Sequence, residues 1–298
     1  MELRHLRGFM AVAEELHFAR AAERLHIEQS PLSRTIKELE SEIGAQLFDR
    51  NSRGTRLTWP GEVLASDVQK IFQAVEQARC NVQAAVAGYR GSLRLALSDG
   101  VLPQRLSAIL AQSREEEPEV EIRLYEVSLS QQLKGLRENL FDVGFARSNN
   151  VGQGLAAQAM WRTPLMVAVP ARHPLLALKQ IPLVEALNYP LVLFHPKTHT
   201  GLYQQIENLL RQTPATAIVA ERVSSQEVML SLVAAGYGVG LVCEAQMALC
   251  QSTEIITRPL AGDPILLTSY LLCSSSVPSE QLQRFITRVT EMDTVDQR

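Results

Sequence analysis

The stretch from Phe18 to Arg56 constrains the fold most, because it combines two short helices, a tight turn between them and a basic loop after them. Phe18, Ala21, Ala22 and Leu25 recur at helical spacing and form one apolar stripe. The paired alanines are small enough for a second helix to approach closely. This order of elements is typical of a helix-turn-helix, whose second helix enters the major groove of DNA.

The second helix is predicted to begin at Ser30 and Pro31. Serine is a favourable N-cap, and proline suits the first helical position because its missing N–H costs nothing there. The apolar residues that follow all fall on one face: Leu32, Ile36, Leu39 and Ile43. The residues that we expect to approach base edges are Gln29, Ser30, Pro31, Ser33 and Arg34. Lys37 lies farther along the opposite face and is predicted to hold a phosphate.

The basic loop spans residues 48–56 and has the sequence FDRNSRGTR. Arg50, Arg53 and Arg56 surround a Ser-Arg-Gly-Thr turn, which suits a wing that contacts phosphates. A further helix with an apolar stripe precedes the pair and would complete a small core. An ordinary amphipathic helical hairpin with a solvated charged face is the alternative. The basic loop and the preceding helix favour DNA binding.

The run AAERLHIEQSPLSRTIKELESEIGAQLFDRNSRGTRLTWPG resembles the N-terminal winged helix-turn-helix of LysR-type transcriptional regulators. The resemblance covers about residues 3–61 and implies an all-α winged helix-turn-helix domain at residues 1–60 that binds double-stranded DNA. One departure is that Ala19 and Arg20 stand where a Ser or Thr is common. Arg20 is therefore a candidate substitute for a phosphate-contacting hydroxyl. His17 stands where a better N-cap is usual.

Residues 61–90 are predicted to form a long linker helix. Apolar residues recur there at alternating spacings of four and three: Leu64, Val68, Ile71, Val75, Ala78, Val82 and Ala85. This heptad repeat favours pairing with a second helix, and Gly88 is a natural stop. A single amphipathic helix packed on its own domain is the alternative. By resemblance the segment is a dimerising linker, and the protein is a homo-oligomer, a dimer of dimers.

Composition limits the class of protein. The 298 residues suggest two domains more readily than one, and a net charge of −3 gives no general affinity for polyanions. DNA binding therefore depends on where the basic residues are placed. No stretch approaches the ~20 apolar residues of a membrane helix, and no export signal is evident. We expect a cytoplasmic protein with no membrane partner and, because the four cysteines lack CxxC spacing, no zinc site.

From Gly91 onward the pattern alternates between strands and helices. The predicted strands are 93–97, 120–125, 141–146, 165–169, 191–194, 218–220, 239–243 and 266–273, and the predicted helices are 103–116, 128–139, 201–211, 226–235 and 279–292. Such alternation argues for a mostly parallel α/β sheet. We expect an effector domain at residues 91–298, with subdomain I at about 91–161 and 268–298 and subdomain II at about 162–267. This organisation resembles the periplasmic-binding-protein-like effector domain of LysR-type regulators.

Ligands of such sheets lie beyond the carboxyl ends of the strands, where helix N-termini offer free N–H groups. By resemblance, the hydroxyls of Ser98, Ser128 and Thr200 are candidates for contacting a small effector in the cleft between the subdomains. Each hydroxyl could instead cap its helix. The full candidate set is Ser98, Asp99, Gly100, Ser128, Arg147, His199 and Thr200. Asp99 would disfavour a purely anionic effector unless Arg147 or another cation offsets it, so the charge of the effector stays open.

Other motifs carry less weight. The glycine-rich run at 236–240 follows a helix and enters a strand, the reverse of a dinucleotide-binding loop. His195 and His199 are four residues apart, but a proline between them favours a loop, and no third metal ligand is evident. Cys243 and Cys250 could form a redox switch, as in peroxide-sensing relatives, although Cys243 lies in an apolar segment typical of an inert thiol.

These observations predict a sequence-specific DNA-binding transcriptional regulator of the LysR type. Its activity would be modulated by a small-molecule effector bound in the C-terminal domain, and RNA polymerase would be a further partner. The alternatives are an oxidant-sensing regulator on the same frame and a cytosolic solute-binding protein, against which the N-terminal domain argues. Motifs of nucleophilic or metal-assisted catalysis, such as GxSxG or HExxH, do not occur, so we expect neither enzyme activity nor a cofactor.

Overall fold

The computed structural model describes residues 1–51, 54–101, 104–247 and 252–295, without the side chains of residues 50–51, 104–105 and 293–295. Arg53, Pro103 and Cys250 lie outside the described residues, as does the side chain of Arg50. The chain divides into two compact units, Met1–Val82 and Gln83–Arg298. Across the described ranges, no helix combines the length and the apolar character that crossing a membrane requires.

The first unit packs helices around a core of phenylalanines and aliphatic residues. Its elements are α1 (Leu3–Glu15), α2 (Phe18–Arg24), α3 (Gln29–Ile43), β1 (Phe48–Asn51), β2 (Gly54–Leu57) and the first part of α4 (Trp59–Val86). The ring centroid of Phe48 lies 5.4 Å from that of Phe9 and 5.9 Å from that of Phe18. The predicted basic loop is the antiparallel hairpin β1–β2, which is a β element in an otherwise helical domain.

The turn between α2 and α3 ends earlier than the sequence predicts. A backbone hydrogen bond donated by Ile27 closes the turn, and Glu28 is the extended N-cap residue of α3, with φ −77° and ψ 154°. The helix therefore begins at Gln29, and the expectation that Ser30 is the N-cap is wrong. Pro31 still lies in the first turn, where backbone N–H groups have no acceptor within the helix.

The predicted seam of the linker helix divides into two parts along α4. Leu64, Val68 and Ile71 pack into the core of the first unit, as the single-helix alternative requires. Val75 and Val82, farther along the helix, are 39% and 64% exposed. The helix ends before Gly88, whose φ of +91° is left-handed. Only the second part of the seam is therefore available for pairing.

The described residues of the second unit form one sheet of nine strands. The strands are β3 (Gly91–Leu97), β4 (Val120–Glu126), β5 (Val143–Ala146), β6 (Leu155–Pro170), β7 (Leu191–Phe194), β8 (Val219–Val223), β9 (Val239–Cys243), β10 (Ile255–Pro259) and β11 (Leu266–Ser274). Their order is β4-β3-β5-β11-β6-β9-β7-β8, with β10 paired to β6. The helices are α5 (Gln104–Glu116), α6 (Leu129–Arg137), α7 (Leu183–Ala186), α8 (Thr200–Gln212), α9 (Gln226–Ala234), α10 (Glu244–Met247) and α11 (Glu280–Val295), with a 3-10 turn at Pro174–Ala177.

The sheet is parallel only in its flanks, β4-β3-β5 and β9-β7-β8. The two long central strands, β6 and β11, pair antiparallel, so the prediction of a mostly parallel sheet is wrong for the centre. The first half of β6 and all of β10 are absent from the predicted strands. Polar residues at 158 and 162 and a proline at 164 interrupt the apolar pattern of β6.

Each flank of the sheet has its own core. Phe145, Trp161 and Phe285 centre one of them, and the other is built around β7, β9 and the second half of β6. The strands β6 and β11 contribute residues to both cores, so they carry the chain from one to the other. On this basis we propose the subdomain boundaries near residues 162 and 268.

Candidate DNA interface and ligand cleft

The outer face of α3 is exposed and basic. The predicted base-reading and phosphate-holding residues of the helix are exposed, apart from the half-buried Ser33: Gln29, Ser30, Pro31, Arg34 and Lys37. The opposite face is at most 1% exposed at Leu32, Ile36 and Leu39. Within the described part of the chain, neither Arg34 nor Lys37 has a hydrogen bond or ion pair. Both cations are therefore available to an external anion.

Arg20 differs from these two cations, because a neighbour in the same unit holds its guanidinium. The side chain donates to the carbonyl oxygen of Glu15 at 2.7 Å, and its Nε lies 3.7 Å from the Glu15 carboxylate. His17 caps α2, since its Nδ1 accepts the N–H of Arg20 at 3.4 Å. The less usual residue type at this position therefore still serves as an N-cap.

Two residues outside the predicted site position the segment that leads into the wing: Glu40 ties it to α3, and Gly61 lets the start of α4 lie close to Leu47. Glu40 Oε1 accepts the backbone N–H of Leu47 at 2.8 Å and of Phe48 at 3.2 Å, which are the residues that lead into β1. At Gly61, a Cβ atom would lie 2.2 Å from the carbonyl oxygen of Leu47. A glutamate three residues before the end of α3 gives no periodicity signal. Arg56, on the wing, is exposed.

Five of the predicted effector residues meet where β3 and β5 end and α8 begins. We call Ser98, Asp99, Gly100, Arg147 and His199 the strand-end cluster. Asp99 is 2% exposed, and its Oδ1 accepts the N–H of Gly201 at 2.8 Å while its Oδ2 accepts the N–H of Arg147 at 3.2 Å. The carboxylate is therefore already bound to backbone and does not project freely into a ligand site.

The loop after β3 has an unusual backbone. Asp99 and Gly100 have φ values of +58° and +61°, and aspartate is one of the few side chains that visits this left-handed region readily. Gln246 Nε2 donates to the carbonyl oxygen of Gly100 at 2.8 Å. This conformation turns the Asp99 carboxylate towards the start of α8.

Ser98 is buried and has a structural partner. Its hydroxyl donates to Gln132 Oε1 at 2.8 Å, and Gln132 Nε2 donates to the carbonyl oxygens of Ala96 at 2.7 Å and Phe145 at 3.1 Å. Gln132 is fully buried on α6 and ties β3 to β5. A signal was present in the sequence, because Gln132 falls on the apolar stripe of its helix.

The other two hydroxyls bond locally. Ser128 caps α6 in a capping box with Gln131, so the capping alternative describes it well. Thr200 Oγ1 donates to the carbonyl oxygen of Pro196 at 2.8 Å, which secures the loop before α8. Among the described residues, no hydrogen bond joins Ser128 to the strand-end cluster.

Burial shifts both titratable groups of the cluster towards their neutral forms. It raises the pKa of Asp99, against the opposing effect of the N–H groups of Gly201 and Arg147 and of the neighbouring positive charges. Burial also lowers the pKa of His199, although the negative charges of Asp99 and Glu126 oppose this. His199 is therefore predominantly neutral near neutral pH.

Arg147 is the buried cation of the cluster. It is 4% exposed, and its Nη2 lies 3.2 Å from Cys243 Sγ. Gln205 Nε2 donates to the Arg147 carbonyl oxygen at 2.6 Å and to the Thr268 carbonyl oxygen at 2.7 Å, which joins α8 to β5 and β11. Gln205 is a second residue that sequence reasoning missed, because its partners lie 58 and 63 positions away.

The weaker motifs gain no support as sites. Among the residues that the structure describes, no three metal-ligating side chains come together around His195 and His199 or elsewhere. The glycine-rich run at 236–240 joins α9 to β9, with Gly236 at φ +80°. Cys243 is 1% exposed, and its proposed redox partner lies outside the described residues.

Family comparisons account for nearly the whole chain. The family described as "Bacterial regulatory helix-turn-helix protein, lysR family" matches residues 3–62, and the "LysR substrate binding domain" matches residues 87–293. The uncharacterised HTH-type transcriptional regulator YnfL of Escherichia coli K12 is 34% identical over 273 residues, covering 91% of this chain and 92% of YnfL. BenM of Acinetobacter baylyi, an HTH-type transcriptional regulator, is 32% identical over 244 residues, covering 81% and 80%.

Solved structures share the fold along its full length. Full-length BenM is 28% identical with a TM-score of 0.61, covering 100% of this chain and 98% of BenM. Full-length CbnR in complex with its target DNA is 24% identical with a TM-score of 0.77, covering 98% and 99%. Because CbnR is only 24% identical to this chain, the likeness to CbnR supports the fold alone.

Proposed function

This chain belongs to the LysR family of DNA-binding transcriptional regulators with an effector-binding domain, and from that premise we propose the roles of its individual residues. We place α3 in the major groove with these residues at base edges: Gln29, Ser30, Pro31, Ser33 and Arg34. We assign phosphate contacts to Arg20, Lys37, Arg50, Arg53 and Arg56. One observation supports this proposal most directly. Arg34 and Lys37 are exposed and have no partners in the described chain, and the opposite face of their helix packs into the hydrophobic core.

The test is a gel-shift series with Arg34→Ala and operator fragments carrying single base-pair changes. The substitution should weaken binding to the preferred fragment by about 1–3 kcal/mol and reduce discrimination among fragments. Arg211→Ala is the matched control, because Arg211 is also exposed but lies on α8 near Glu207. The control should bind like the wild type. Discrimination by Arg34→Ala that equals the wild type would contradict the assignment.

Self-association is proposed to use the second part of α4. Val75, Val82 and Val86 are 39%, 64% and 85% exposed there, at or near the predicted heptad positions. Pairing two chains along this face would hold two DNA-reading domains together, as an operator with two half-sites requires. Val82→Glu should shift the protein towards monomer in sedimentation equilibrium, whereas Gln83→Glu, at the exposed neighbouring position, should not.

The two edge strands of the sheet offer a second contact for a dimer of dimers. β4 and β8 lie at the two ends of the sheet order, and Leu124 and Ile218 near them are 47% and 62% exposed. Apolar groups at open sheet edges favour association with another chain. Loss of the tetramer but not of the dimer in Leu124→Lys would support this division of contacts.

We propose that the strand-end cluster, with Ser128 and Thr200 beside it, belongs to the effector site. We propose that the effector acts on an equilibrium between two arrangements of the DNA-binding domains within the oligomer. It can shift this equilibrium only by the difference between its affinities for the two arrangements. The proposed role is regulation by binding, without catalysis, in the cytoplasm and with RNA polymerase as a further partner. Footprints upstream of the protein's own gene, with and without metabolite pools, would test effector dependence.

A further inference from the structure

Arg147 is the one side chain of the strand-end cluster with buried polar atoms that have no hydrogen-bond partner within the described residues. Its Nη2 lies near Cys243 Sγ, but its Nε and Nη1 are buried and have no hydrogen-bond partner there. The described residues also form no ion pair with the Arg147 guanidinium, whose nitrogens have no carboxylate oxygen within 4.0 Å there.

A guanidinium stays protonated in proteins, so it cannot release its charge by losing a proton. A buried charge without a partner is therefore a large cost that the fold carries in the absence of a counter-ion. The thiol of Cys243 is a weak acceptor and supplies no negative charge as long as it stays protonated. The unpaired N–H groups thus call for an oxygen anion from outside the chain.

Asp99, the acid that accepts the Arg147 backbone N–H, is committed elsewhere. Its two oxygens accept backbone N–H groups from Gly201 and from Arg147 itself, and Oδ2 also lies 3.4 Å from the Ser98 hydroxyl. These bonds hold the carboxylate between the loop after β3 and the start of α8. They leave the Arg147 guanidinium without an ion pair, although the two residues are neighbours.

Arg288 shows how the same domain buries an arginine that is part of the fold. It is 7% exposed, its Nε lies 2.8 Å from Glu116 Oε2, its Nη2 lies 3.2 Å from Glu117 Oε2, and its Nη1 lies 3.0 Å from Ser113 Oγ. All three nitrogens have partners, and two of the partners are carboxylates. The contrast separates a structural arginine from one that lacks its anion.

We infer that the effector carries an oxyanion, a carboxylate or a phosphate, and that the Nε and Nη1 groups of Arg147 bind it. This inference rests on the proposed effector role of the strand-end cluster. The guanidinium suits both anions, because its N–H groups lie in one plane and match their oxygen atoms. The unpaired charge settles the sign that the sequence left open: the group that reaches Arg147 is negative.

The first test compares two substitutions in the full-length protein without ligand. Replacing an unpaired buried charge by an apolar residue of similar size removes the free-energy cost of burying that charge. Removing one member of a buried ion pair instead leaves its partner buried without a counter-charge, which lowers stability. Arg147→Met should therefore keep or raise the Tm, and Arg288→Met should lower it by several degrees. A fall for Arg147→Met as large as that for Arg288→Met would overturn the inference, because Arg147 would then be structural.

The second test measures Tm against added anion at constant ionic strength. The probes are acetate and benzoate, each paired with its neutral amide, and inorganic phosphate, with sodium chloride as the salt control. At least one probe anion should raise the Tm of the wild type saturably, its amide (for a carboxylate) should not, and the rise should disappear in Arg147→Met but persist in Arg288→Met. A response to carboxylates alone or to phosphate alone identifies the kind of anion.

Equal responses to acid and amide, a response that persists in Arg147→Met, or no response to any of the three anions would each overturn the inference. Neither test involves DNA. A failure to bind operator fragments would therefore leave both results standing, and a failure here would leave the assignment of α3 standing.

Discussion

The exposed face of α3, which we propose reads DNA, and the strand-end cluster use polar side chains in opposite ways. Arg34 and Lys37 are exposed, come from one helix and have no partner in the described chain. Ser98, Asp99 and Arg147 are at most 4% exposed and bond to segments that are distant in sequence. A substitution on α3 should therefore remove one contact with an external partner, whereas one in the cluster should disturb several segments of the protein together.

The largest expected effect is at Gly201, where the cluster leaves no room. A Cβ atom there would lie 2.6 Å from Asp99 Oδ2 and 2.7 Å from the carbonyl carbon of Arg147. Gly201→Ala should lower the free energy of unfolding by about 3 kcal/mol, because the start of α8 must move away from both groups. Urea denaturation measures the loss.

Gly154→Ala is the control for this prediction. Gly154 has a φ of +80°, but a Cβ atom there would have no neighbouring atom within 4 Å, so alanine meets only backbone strain. That strain costs about 1–2 kcal/mol. If Gly201→Ala costs no more than the control, the cluster is looser than its contacts indicate, and the contrast with α3 weakens.

The same contrast explains how much the sequence revealed. Helical spacing and turn residues are local, so α2, α3 and the strands at 191–194 and 239–243 could be predicted closely. The partners of the cluster are not local: the Asp99 to Gly201 hydrogen bond spans 102 positions, and the Ser98 to Gln132 bond spans 34. Candidate residues could be named from their places at strand ends, but their bonds depend on the sheet order, which periodicity does not encode.

Glu40 is the point where the DNA-binding unit resembles the cluster, since one carboxylate there joins α3 to the wing. Glu40→Gln should lower the free energy of unfolding by about 1 kcal/mol, because a neutral amide oxygen accepts the N–H groups of Leu47 and Phe48 less strongly than a carboxylate does. It should also weaken operator binding, since the wing loses its fixed position. Urea denaturation and gel shifts measure the two effects.

Glu38→Gln is the matched control on the same helix. The Glu38 side chain is 57% exposed and only approaches His5 at 4.0 Å, so its replacement should change stability by less than about 0.5 kcal/mol. Similar results for the two variants would show that the wing does not depend on Glu40. The DNA-binding unit would then be local throughout.

His26 offers a gain in stability that depends on the local backbone alone. It has a φ of +54° in the turn between α2 and α3, and its side chain is exposed. His26→Gly should raise the free energy of unfolding by about 0.5–1 kcal/mol, because glycine adopts this conformation without steric cost. Asn139→Gly, at a φ of +56°, should gain less, since asparagine tolerates the left-handed region. Equal gains in thermal melts would contradict this explanation, because histidine and asparagine would then carry the same strain in this conformation.

The smallest expected effect is a pH dependence from His199. Burial lowers its pKa below the ordinary value of 6.5, so as the pH falls through 6.5 the unfolded chain takes up a proton before the folded protein does. Stability therefore declines from pH 6.5 down to the folded pKa, and His199→Gln should remove that share of the decline. Asp99 acts in the opposite direction: its raised pKa makes the folded state gain stability as the pH falls through that pKa towards 3.8.

His173, whose pKa burial also lowers, provides the control, because His173→Gln should remove a separate share of the decline. Urea denaturation at several pH values distinguishes these contributions, and an unchanged slope below pH 6.5 in His199→Gln would mean that the cluster does not hold this ring in its neutral form.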